Sequence, residues 1–297
     1  MSRPPITRRP LHALWSTGTG AFALGVLTLL ALAALVSLFW LPHNPSAADA
    51  YRAWQPPSTE FWLGTDGSGR DIFSRLMFGS RITLLIAVGA GLLAGLIGLV
   101  LATAGGLGGR WLREPVAVLI DVLVAFPTLI IAMMLSAAFG SGIPVLIAAI
   151  GIGFGVNIGR VIRAEIRQAA TSDYVLAARA FGVSPGRVFL RHILPSVSPV
   201  FIVQLSLTMG LAVLAEAGLS YLGFGAPQSM PSWGRMLGEM QVYVSSHPVS
   251  VLWPGLAITL VVLAFNLLGD ALRDVLDPAI ARLPRQQRRP NPGALAR

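Results

Sequence analysis

The sequence predicts an all-α integral membrane protein with six transmembrane helices and one structured polar loop. Three observations carry this. The 297-residue chain is 54% hydrophobic and only 12% charged, with a mean hydropathy of +0.70, whereas a soluble domain carries about 25% charged residues. Six apolar stretches match the ~20 residues a helix needs to cross the hydrocarbon core: 21–41, 82–104, 116–138, 143–162, 197–219 and 251–269. Between the fourth and fifth lies a polar insertion of about 30 residues, far longer than a connection requires.

Residues 1–20 form a polar tail ahead of the first span. The stretch 21–41 has some look of a secretory signal, and Ala48-Asp49-Ala50 resembles a cleavage site. Its apolar core of about 20 residues exceeds the 7–15 of a signal h-region, so it reads as a retained span. Residues 42–80 form an outer segment in which Asp66, Arg70, Asp71 and Arg75 alternate in charge. The D-x-D-x-D-G pattern of a calcium loop is absent. An internal ion-pair and capping network fixing the start of the second span is expected instead.

Residues 81–280 hold the other five spans. Gly91 with Gly95, and Gly151 with Gly155, make small-xxx-small faces, which let helices approach closely; packing inside one bundle is expected of them rather than a dedicated dimer contact. Asp121 lies near the start of the third span, Glu216 near the end of the fifth and Asp270 just past the sixth. An ionisable residue in a span is a functional candidate by default. Glu216 therefore stands either as a pathway residue or as an interhelical hydrogen-bonding group, and Asn157 in the fourth span is a second candidate. Asp270, Arg273, Asp274 and Asp277, at helical spacing, anchor the last helix end. Residues 281–297, rich in Arg and Pro, read as a disordered tail.

Arginine sets the orientation. With the N-terminus inside, seventeen of the 22 arginines fall in cytoplasmic segments and five outside, a clear positive-inside bias that places both termini in the cytoplasm. These arginines face anionic headgroups, so the net charge of +9 calls for no nucleic acid. Lys and Cys are both absent. Without Cys there is no thiolate metal site or disulfide, and no cluster of His, Asp and Glu argues for a metal site in the spans. A P-loop needs a Lys to reach the terminal phosphates, so any ATP hydrolysis belongs to another subunit. His12, His43, His192 and His247 lie outside span interiors, and no His-Glu-x-x-His is present, which argues against an intramembrane enzyme.

The insertion at 165–195 contains the strongest local signals. Asp173 is an expected N-cap, followed by the helix-forming run to Phe181. Gly182 suits the left-handed position that ends a helix. Ser184 and Pro185 open a second short helix, and Pro195 marks the start of the next span. The pair has the outline of a DNA-binding helix-turn-helix, but spans begin within a few residues on both sides, leaving no soluble core or third helix.

The arrangement resembles the EAA loop of ABC importer permeases, whose signature is Glu-Ala-Ala, three residues, Gly, nine residues, Ile, one residue, Leu-Pro. It falls here on Leu176, Ala177, Ala178, Gly182, His192, Leu194 and Pro195, with Leu176 in place of Glu and His192 in place of Ile. Three further motifs are similar to the C-type permease subunit of the dipeptide/oligopeptide/nickel importers. They are Trp62-Leu63-Gly64-Thr65-Asp66-Gly67-Ser68-Gly69-Arg70-Asp71-Ile72-Phe73-Ser74-Arg75, Gly218-Leu219-Ser220-Tyr221-Leu222-Gly223-Phe224-Gly225 with Pro231-Ser232-Trp233-Gly234, and the run from Pro254 to Pro278. The resemblance covers the chain from about Leu41 to Pro278.

The resemblance implies the type I ABC importer permease fold in a bacterial cytoplasmic (inner) membrane. It implies a transport subunit with no chemistry of its own, forming half of a pathway with a homologous B-type permease. Two ATP-binding subunits would carry ATP and Mg²⁺, so that this chain binds no cofactor, and an extracytoplasmic solute-binding protein would deliver cargo to the outer segments 42–80 and 220–248. Leu176, Ala177, Ala178, Arg179, Gly182, Val183, Ser184, Arg187, Leu194 and Pro195 would form the ATPase-coupling loop. Peptides are the first expectation for cargo and nickel or a metal chelate the second. The rival from another class is an ATP-independent ion-coupled transporter or channel. Such proteins place polar groups and broken helices near the midplane in paired repeats, and no internal repeat is visible here.

Overall fold

A computed structural model describes residues 14, 15, 17–227 and 229–276. Asp277, the tail at 281–297 and most of the N-terminal tail lie outside the described residues. Helix α1 (Gly18–Phe39) is capped by Thr17, whose side chain accepts from the Gly20 N–H. An irregular outer excursion with one 3₁₀ turn (Ala50–Arg52) leads to α2 (Ile72–Leu107). The helix starts well before the apolar stretch at 82 because the Asp71 carboxylate caps it, accepting from the Phe73 and Ser74 N–H groups.

The third apolar stretch departs from expectation. It folds as α3 (Arg110–Val124) and α4 (Thr128–Phe139), bent by 86° at the break between them. Pro127 is the cause: it has no N–H to continue the α3 ladder, and its ring drives Phe126 away from helical backbone. Among the described residues five helices are long and apolar enough to cross a membrane, and this bent pair is the sixth candidate.

Helix α5 (Ile143–Ala170) is followed by α6 (Asp173–Ala180), α7 (Pro185–Val188), a π-turn (Phe189–Ile193) and α8 (Leu194–Tyr221). A short outer helix, α9 (Trp233–Met240), precedes α10 (Pro248–Leu276).

Helices α2 and α5 share the most extensive contact among the described helices. A Cβ on Gly98 would lie 2.5 Å from Ile158 Cγ2, and one on Gly155 would lie 2.9 Å from Ile97 Cβ and 3.1 Å from the Ala94 carbonyl oxygen. Only glycine permits backbones this close. Gly91 and Gly95 instead receive Met209 and Leu205 of α8. Both small-residue faces therefore pack inside the bundle, as expected of them. Helix α8 also lies on α10, and α1 covers α10 and α2. Exposed Leu29, Leu92 and Leu263 line the outside of the spans, where hydrocarbon takes the place of water.

Candidate functional site

At its C-terminal end, α5 runs on past its apolar stretch and stops at Ala170, where the Ser172 hydroxyl donates to the Ala169 carbonyl. Ser172, not Asp173, occupies the N-cap position of α6 with extended backbone; Asp173 enters the first turn, where its charge complements the helix dipole. At the other end Gly182 takes φ +74°. Its N–H donates to the Arg179 carbonyl and that of Val183 to the Ala178 carbonyl, the paired bonds of a Schellman turn. Ser184 precedes α7 with Pro185 at its first turn.

The second short helix is not separate from the fifth span. From Pro185 to Tyr221 the chain is one continuous helical run, interrupted only by the π-turn, where the Leu194 N–H donates to the Phe189 carbonyl. Pro195 explains the irregular turn. It has no N–H for the Arg191 carbonyl, and one wide turn absorbs the gap without breaking the helix.

Two faces result. Val175, Val188 and Ile193 are buried with Ile162, Ile166 and Val197 in the inner core. The opposite face exposes Leu176, Ala177, Arg179, Gly182, Ser184, Arg187 and Pro195, while Ala178, Val183 and Leu194 are half-buried. Phe181 at the turn is 88% exposed, and exposed Tyr174 lies 6.4 Å from the His192 ring. The structure thus brings the ten loop residues singled out in the sequence to one end of the bundle. It adds Phe181 and Tyr174, which sequence reasoning missed by favouring small residues; an aromatic immediately before a helix-ending glycine was the available signal.

The two pathway candidates sit apart. Glu216 is buried, with the Ser220 hydroxyl donating to its Oε1 at 2.6 Å, and Ser232 and Arg235 of the outer region lie near it. Asn157 is exposed on α5 and donates to the Gly153 carbonyl of its own helix.

At the opposite end of the bundle, the excursion after α1 is tied to α9 by four charges. Asp66 accepts from the Ser68 and Arg70 N–H groups, from Arg70 Nε at 2.8 Å and from Arg75 Nη1. Glu239 of α9 accepts from Arg70 and Arg75, both at 2.7 Å. Arg75 is 1% exposed. The Trp233 indole donates to the Leu76 carbonyl, and Trp54 stacks on His247 with ring centroids 4.0 Å apart. This is the ion-pair and capping network expected from the sequence, extended by a carboxylate from a distant segment. Among the described residues no group of three or more His, Asp and Glu is placed to hold a metal ion.

Residues 94–282 match the family described as binding-protein-dependent transport system inner membrane component. The chain is 37% identical over 268 residues to the nickel transport system permease protein NikC of Escherichia coli (strain K12), covering 90% of this chain and 96% of that protein. It is 38% identical over 244 residues to the dipeptide transport system permease protein DppC of Alkalihalophilus pseudofirmus, covering 82% and 79%. Among solved structures, an inward-facing form of the MetNI methionine ABC transporter matches the fold with a TM-score of 0.58 at 18% identity, over 68% of this chain and 97% of that one.

Proposed function

We infer that this chain, which belongs to the family of binding-protein-dependent transport system inner membrane components and is a non-catalytic ABC importer permease of the peptide/nickel class, forms one half of a peptide pathway driven through its 165–195 loop. A homologous B-type permease supplies the other half. Two ATP-binding subunits carry ATP and Mg²⁺, and a solute-binding protein docks on the outer segments 42–80 and 220–248. Both termini face the cytoplasm, in keeping with the arginine distribution.

The observation that carries this reading is the form of the loop. Its inner side is bolted into the bundle core, its outer side offers small residues, arginines and one exposed Phe, and its second helix continues into α8. ATP-driven closure of the ATPase pair would press on α6 and α7, and helical continuity would pass the displacement into the fifth span. Binding energy becomes alternating access with no covalent step in this chain. Similarity to a dipeptide permease supports peptide cargo, and similarity to a nickel permease supports the second reading.

The test is purification of the tagged chain from native membranes in mild detergent. A second permease and ATPase subunits are expected to co-purify and to be lost with Ala178→Arg or Gly182→Arg in chains that remain folded. Uptake of a labelled dipeptide against labelled Ni²⁺ by the reconstituted complex separates the two cargoes. A chain that purifies alone and transports without ATP would overturn the importer reading.

A further inference from the structure

We propose that the break in the third span faces the aqueous pathway, not lipid, and that Asp121 is the residue there that meets positively charged groups of the cargo. This rests on the permease reading above.

The break is exposed. Ala125, Phe126 and Pro127 are all uncovered in the chain, and α4 begins without any side-chain cap on its first N–H groups. Irregular backbone at membrane depth is tolerated only where protein or a water-filled cavity meets it, because hydrocarbon offers no hydrogen-bond partner. Helix α4, twelve residues long, spans about 18 Å at 1.5 Å per residue, short of the ~30 Å hydrocarbon core. It cannot serve as a lipid-bounded span by itself.

The side chains of α3 sort into three faces at helical spacing. Ile120, the one fully buried residue, marks the face toward the bundle. Trp111, Leu119 and Val122 form an uncovered apolar face. Arg110, Glu114 and Asp121 share a third face, which Ala125 continues into the break. Arg110 and Glu114 pair with each other at 3.3 Å. Asp121 is exposed, and no cation of the described residues pairs with it. An unpaired carboxylate does not face hydrocarbon; it faces the bundle interior or water and marks an ion or substrate route. An exposed break, its first α4 N–H groups uncapped by any side chain, and an exposed anion on the face that leads into it point to the same medium. The cargo recognised there presents a positive group, an ammonium or a metal complex.

The chain has no cysteine, so an introduced cysteine is its single thiol and its labelling is read on the tagged chain after it is purified from the labelled membranes. In native membranes holding the full complex, Asp121→Cys and Ala125→Cys are expected to react with membrane-impermeant methanethiosulfonates, and Leu119→Cys and Val122→Cys to stay unreactive. At Ala125→Cys with Asp121 intact, a cationic methanethiosulfonate should react several-fold faster than an anionic one, and adding Asp121→Asn should abolish that preference. Silence at positions 121 and 125, or equal labelling at 119 and 122, overturns the aqueous placement. A rate ratio unchanged by Asp121→Asn overturns the cation role. Labelling needs neither ATP nor cargo, so loss of the importer reading leaves these rates able to decide.

Discussion

Truncating Phe181 to Ala tests the coupling surface with little risk to the fold. The ring is 88% exposed, and the bond that holds residue 181 in place is from its backbone N–H to the Ala177 carbonyl at 3.0 Å, which Ala retains. Permease stability should therefore change by less than about 0.5 kcal/mol, the usual range for a surface substitution away from special features. If an ATPase groove covers the ring, the substitution removes most of the roughly 1.5–3 kcal/mol that burying a Phe side chain contributes. At about 1.4 kcal/mol per tenfold change in affinity, binding should weaken by roughly 10- to 150-fold. Titration of purified ATPase subunits against the detergent-solubilised permease pair reads the affinity, and thermal unfolding of the same samples reads the fold. Unchanged affinity with unchanged melting would refute the idea that the loop tip is the contact. A fall in melting as large as the fall in affinity would show that Phe181 supports the loop rather than its partner.

Three further substitutions probe the scaffold. Gly182→Ala places a Cβ in open space but at φ +74°, so it should cost only the backbone term, about 1–2 kcal/mol, seen as lower thermal stability; no change would mean that the turn relaxes freely. Gly155→Val drives a side chain against Ile97 and the Ala94 carbonyl, and overpacking of this kind costs about 1–3 kcal/mol. A melting point equal to wild type would show that α2 and α5 can separate. Arg75→Met strips one cation from Asp66 and Glu239 while leaving each its Arg70 contact. Breaking a buried pair costs about 3–5 kcal/mol, and since Glu239 is about one-third exposed the lower end is expected. A loss below about 1 kcal/mol would sink the view that these charges fasten the outer excursion.

The spans and the loop were legible because both are written in local chemistry. Twenty apolar residues, a helix-ending Gly182 and the Ser184-Pro185 pair each act on their own backbone; the turn follows within a residue or two, while the helices of the spans run up to about ten residues past their apolar stretches. What escaped depended on register or distance. The 86° break at Pro127 lies inside an apolar run whose composition alone is that of an ordinary span. The continuity of α7 with α8 depends on a π-turn that no propensity signals, although Pro195 gives its cause. Glu239 joins Arg70 and Arg75 from a segment more than 160 residues away, and pattern alone cannot choose that partner. Glu216 was visible as an ion in a span, and its bond to Ser220 one turn along the same helix is local, but its neighbours Ser232 and Arg235 come from the segment that folds back over it.

The distribution of tight and loose contacts argues for where motion can occur. Helices α2 and α5 resist sliding past each other, because at Gly98 and Gly155 the neighbouring helix lies closer than a side chain would permit, and at Gly159 it leaves only tight room. Packed interfaces of this kind shift as blocks rather than deform. The outer excursion is held to α9 by the Arg70–Glu239 pair, and α9 to α2 by the Arg75–Glu239 pair and the Trp233 hydrogen bond to Leu76, so this end follows the same block. Two places lack such restraint. One is the turn at Gly182, where added atoms would meet nothing; the other is the exposed break between α3 and α4. A push on α6 would therefore be taken up at neither the glycine seam nor the outer lock. Beyond the Gly182 turn, a push on α7 would pass into α8 through the continuous helix, and the broken third span is the element with room to change its angle.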